Sequence, residues 1–165
     1  MTDVLDHLID ALRTELQQYG EILSLLDLQE QAVKQQGAEE ILRIVAAIHA
    51  QSAHIEAARA ARQHWQQQLA LALGLSPDAT LSHLTTLVPE PYRLLLLALV
   101  QENNDLRRRV REQAEQNQAL LRRAMALLEQ VLATFTGPGL LGQEPVEPAP
   151  ALELAADPTQ QRAVA

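Results

Sequence analysis

Residues 91–135 read PYRLLLLALVQENNDLRRRVREQAEQNQALLRRAMALLEQVLATF, with neither glycine nor an internal proline. After an opening apolar run, a stripe passes through Asn103, Leu106, Val110, Ala114, Asn117, Leu121, Ala124, Leu128, Val131 and Phe135. Steps of three and four keep these residues on one face of a helix. At ~1.5 Å per residue such a helix is roughly 65 Å long, which requires partner helices along it. Asn103 and Asn117 stand where apolar residues are expected, two heptads apart. A core asparagine lowers stability but penalises any alignment that leaves its amide without a partner, so both are expected to fix register.

The C-terminal half of this helix has more apolar width than a narrow seam needs. Ordinary core is the commoner use of such width. Near the end of a fold, with fewer internal partners left, it can instead be a surface kept for a partner segment.

Working back, residues 2–36 hold Leu5, Leu12, Tyr19, Leu26 and Val33 at a spacing of seven. Thr2 or Asp3 offers a cap, and early acids suit the positive end of the helix dipole. Gly20 lies inside, either for close helix approach or as a weak spot. Gly37 separates this helix from a second over 38–73, carrying Ile41, Ile48, Ile55, Arg62, Trp65 and Leu69 and closed by Gly74 and Pro77. An antiparallel hairpin lets the two seams cover each other. Asp78 or Thr80 caps a short helix over 80–87, which leads through Pro89 and Pro91 into the long helix over 91–135.

The expected fold is therefore all-α: an elongated antiparallel helical bundle, a coiled-coil hairpin of three long helices. The helical domain covers 1–136. Residues 137–165 hold five of the eight prolines, four acids and no aromatic, and are expected to be a disordered tail. Within it Ala151–Ala155 could form a helical turn on a partner, though an incidental apolar cluster is the simpler reading.

Composition narrows function. A net charge of −8 disfavours nucleic acid as the main partner, and no apolar run is long enough to span a membrane. Without cysteine there is no thiol chemistry, and the acids at the start do not suit a signal peptide, so a cytoplasmic address is expected. The five histidines, His7, His49, His54, His64 and His83, form no i, i+4 pair, so neither metal nor cofactor is expected. Carboxylates are read as spread along solvated faces, and no phosphate loop or catalytic grouping appears, so the protein is read as a non-enzyme. Arg107, Arg108, Arg109 and Arg111 are read as a solvated face paired with Glu102, Asp105, Glu112 and Glu115. Trp65 is expected to anchor the core at the bundle edge.

The chain resembles the FlgN family of flagellar export chaperones over about residues 5–137. The residues that carry this are the Leu-rich stretch Leu12–Val33, then Glu39, Glu40 and Ile41 through Arg59 after a break. The more specific piece is Asn103-Asn104 followed by Asn117, Leu120 and Leu121, and then the close at Val131, Leu132 and Phe135. The resemblance implies a cytosolic chaperone that binds terminal helical segments of hook–filament junction proteins. It would prevent early assembly and deliver them to the type III export gate. Family members often carry a Tyr past the last helix; none follows Phe135 here, so docking through such a residue is not implied. The client surface is expected on Leu121, Met125, Leu128, Val131, Leu132 and Phe135. The alternatives are a structural coiled coil that pairs with itself as a homodimer, and a nucleic-acid adaptor acting through Arg107–Arg111.

Overall fold

A computed structural model describes residues 1–136, with side chains through residue 134. Four helices follow in order: α1 (Thr2–Lys34), α2 (Ala38–Ala72), α3 (Leu81–Leu87) and α4 (Glu90–Thr136). No strand occurs among the described residues. The expected disorder after residue 136, the turn at Ala151–Ala155 and the side chain of Phe135 lie outside what is described. The chain divides into two compact units, Met1–Met125 and the part from Ala126 onward.

In the first unit, α1 and α2 are antiparallel. Leu5, Leu8, Ile9 and Leu12 at the start of α1 share one core with Leu69 and Ala70 at the end of α2. Tyr19, Ile22, Leu26 and Ala32 share a second with Ile44, Ile48 and Ile55 at the start of α2. The heptads explain the pairing: Leu5, Leu12, Tyr19, Leu26 and Val33 are all buried, as are Ile48, Ile55, Arg62 and Leu69 on α2.

The third long helix is not antiparallel to both of the others. The chain crosses over through α3, whose Leu84, with Val88 just after it, packs into the first core. It thereby returns to the end where α1 begins, and α4 runs parallel to α1. Asn103 Nδ2 donates to the Leu12 carbonyl at 3.1 Å. Asn117 Nδ2 donates to the Leu26 carbonyl at 2.7 Å. Both bonds span 91 residues, so one register holds along the contact. That register places Lys34, the last residue of α1, level with Met125.

The helix ends differ in detail from the sequence expectation. α1 starts after Met1 with no side-chain cap, whereas Thr80 does cap α3, accepting from the His83 backbone N–H at 3.3 Å. After α1 the left-handed residue is Gln36 (φ 57°), one before the glycine, while Gly74 takes that conformation after α2 (φ 71°). A Cβ built on Gly20 meets nothing within 4 Å, so this glycine does not serve a close helix approach.

Candidate functional site

The buried positions of α4 recur every seven residues: Leu96, Asn103, Val110 and Asn117. Leu96 and Leu99 join the core shared with α1, α2 and α3, and Val110 joins the one shared by α1 and α2. In sequence the spacing of seven runs on to Ala124 and Val131, both of which are exposed. Leu121 is half-buried and Met125 is exposed.

Taken by itself, the described part of the second unit has no buried residue. Its large apolar side chains, Leu127, Leu128, Val131 and Leu132, are between 46% and 63% exposed. Leu127 is exposed as well, although a stripe of single positions does not include it. Scattered apolar residues on a surface are ordinary, whereas four in six residues on one helix form an exposed apolar patch.

The two asparagines differ in how well they are satisfied. Asn117 gives its amide to Leu26 and to Gln29 Oε1 at 3.0 Å, and its oxygen accepts from Gln113 Nε2 at 3.1 Å. Gln113 also donates to Glu30, whose carboxyl is held below its ordinary value by its bond to Lys34. Asn103 donates to Leu12 and Leu99, but its Oδ1 is buried without a partner.

One polar cluster departs from the sequence reading, which put every carboxylate on a solvated face. Glu15 is buried, and Arg62 Nε donates to its Oε2 at 2.7 Å. The Tyr19 hydroxyl donates to the other oxygen at 3.2 Å. Burial, with the Glu15 charge second, pushes the Tyr19 pKa up to about 12. Arg62 also bonds Gln66, which donates to the Ala79 carbonyl, tying α1 and α2 to the loop before α3. Every charge here has a partner, so the cluster is suited to alignment.

The remaining candidates fall into place around the bundle. Arg108 pairs with Asp105 at 3.1 Å and lies 3.9 Å from Glu112, while Arg107 is half-buried and its charge acts on Tyr19. Trp65 packs at the edge of the first core with the His7 ring stacked on it at 4.3 Å. Among the described residues no group of three His, Cys, Asp or Glu could hold a metal ion. No described helix is long and apolar enough to cross a membrane.

Compared with known proteins, residues 1–139 match the family model described as FlgN protein. No curated protein and no solved structure matches the chain.

Proposed function

The chain belongs to the FlgN family of flagellar export chaperones, and from that premise we propose that it captures the terminal helical segments of hook–filament junction proteins in the cytoplasm. Held this way, a client cannot assemble early and is carried to the type III export gate. The observation that supports this most is the exposed apolar stripe at the end of α4. An amphipathic client helix laid on Leu121, Met125, Leu128, Val131, Leu132 and Phe135 covers it, and main-chain polarity stays satisfied within each helix. Met125 adds the adaptability that several clients of different sequence require. Asn103 and Asn117 hold α4 in register on α1. No step of this task calls for catalysis or a cofactor.

The test is the double substitution Leu128→Glu and Leu132→Glu. Two carboxylates on an exposed face leave the helical circular dichroism and the cooperative melt in place. Binding of a junction-protein terminal peptide, followed by titration calorimetry, falls at least tenfold. Retained affinity in the folded variant removes the site from this face. A wild-type dimer that becomes a monomer in the variant, with no peptide bound by either, favours self-pairing instead.

A further inference from the structure

We infer that the first turns of α4 carry a second docking surface, which takes a short amphipathic helix with lysine or arginine on the flanks of its apolar face. This surface belongs to the Met1–Met125 unit and stands independently of the client reading above.

Residues 94–100 read LLLLALV, an unbroken apolar run of about two helical turns. A helix that is apolar all round is ordinarily buried all round. Here only one side is covered: Leu96 and Leu99 enter the core shared with α1, α2 and α3, and Val100 packs against it. Leu94, Leu97, Ala98 and Gln101, at the i, i+3, i+4, i+7 spacing, lie on the side away from these and are exposed. Leu94 is 70% exposed and Leu97 46%, with Leu95 at 38% on the flank. Helix propensity does not call for leucine there, because lysine, glutamine or glutamate serve a solvated face equally well.

Charge selects the occupant. Glu90 precedes Leu94 by one turn, Glu102 follows Ala98 by one turn, and Asp105 follows Gln101 by one turn. Arg93 pairs with Glu90 and Arg108 with Asp105, each at 3.1 Å, while Glu102 pairs with no described cation. On α1, Asp6 accepts from the Tyr92 hydroxyl and likewise has no basic partner among the described residues. The rim is therefore acidic, and a cationic flank on the partner complements it. A second copy brings acid against acid, and a stable dimer needs about 800 Å² on each side, more than three leucines and an alanine supply. The chain's own residues 137–165 carry four acids and one arginine, so charge disfavours them as well.

The experiment titrates the full chain with a labelled helical peptide, leucine on one face and lysine on both flanks, and reads fluorescence anisotropy. Saturable binding is expected, and it weakens with added salt. A peptide of the same composition with its leucines spread around the helix, and one with glutamate in place of lysine, are expected not to bind. Leu94→Gln together with Leu97→Gln lowers the affinity about tenfold or more at unchanged circular dichroism. Glu102→Gln lowers it about twofold. Leu94→Gln alone, at the most exposed position of the run, carries the test if the double variant does not fold. Equal binding of the control peptides, no binding of the lysine peptide, or affinity untouched by the leucine variants overturns the inference. So does a wild-type dimer that these variants turn into a monomer, which gives the face to a second copy.

Discussion

Asn117 donates to the carbonyl of Leu26 at 2.7 Å, and the bond recurs two heptads earlier between Asn103 and Leu12. The repetition holds α4 parallel to α1 in one register, but the two bonds do not have the same energetic weight. Replacing Asn117 with Leu strands the buried Gln29 carboxamide and inserts a bulkier side chain into a site with about 1% exposure. The expected cost is about 1–3 kcal/mol, so the usual gain from removing a core asparagine is reversed. Asn103→Leu removes a buried oxygen that has no partner. It is expected to match or exceed the wild type in stability. Chemical denaturation of the two variants side by side checks the contrast.

The Glu15–Arg62 pair is held at 2.7 Å with both side chains nearly inaccessible. Arg62→Met leaves a buried carboxylate with only Tyr19 as partner and is expected to cost about 3–5 kcal/mol. The double variant Glu15→Leu, Arg62→Met removes the stranded charge along with its partner. It recovers most of the loss. A double-mutant cycle in urea measures both, and equal destabilisation of the single and double variants would show that packing rather than charge dominates there.

Tyr19 makes the fold sensitive to alkali. In the unfolded chain a tyrosine releases its proton near pH ~10, whereas in the fold this occurs at about 12. Below pH ~10 both states are protonated and the contribution is intact; it declines as pH rises from there and is lost by about 12. With ~1.4 kcal/mol per unit, the decline is roughly 2–3 kcal/mol. Denaturation midpoints measured from pH 9 to 12 should fall in this window, and Tyr19→Phe should flatten the fall.

Much of this was legible in one dimension. Spacing alone identified the buried faces: Leu5 through Val33 on α1, and Asn103, Val110 and Asn117 on α4 are all inaccessible. The hairpin followed from two seams of matching length with a glycine between them. Periodicity assigns a residue to a face, but it does not name the partner across that face. Glu15 and Arg62 are 47 residues apart, and the parallel course of α4 depends on which end of the hairpin α3 packs against. The stack of His7 on Trp65 needed the same knowledge. At the end of α4 the sequence showed excess apolar width, which periodicity cannot assign to core or to surface; Leu127 and Leu128 are exposed there.

Gly20 is a weak spot in α1 with open space around its missing side chain. Gly20→Ala is therefore expected to stabilise the protein by about 1 kcal/mol, through helix propensity and a less flexible unfolded chain. Thermal melts followed by circular dichroism check this, and a lower melting temperature would reveal a contact on that face.

The end of α4 should be separable from the fold. Every buried residue described lies between Leu5 and Asn117, and none occurs after Met125. A chain ending at Met125 therefore loses no core side chain, no buried ion pair and neither register asparagine. Its melt should stay cooperative, within a few degrees of the full chain; ~1 kcal/mol corresponds to roughly 2–4 °C for a chain of about this length. The same truncation removes Leu127, Leu128, Val131 and Leu132, so binding of the junction-protein terminal peptide should vanish. Comparing melting temperature and peptide affinity on one sample separates the two roles. A drop of more than ten degrees would mean that the last turns stabilise the bundle, and their apolar face would then belong to the fold rather than to the client.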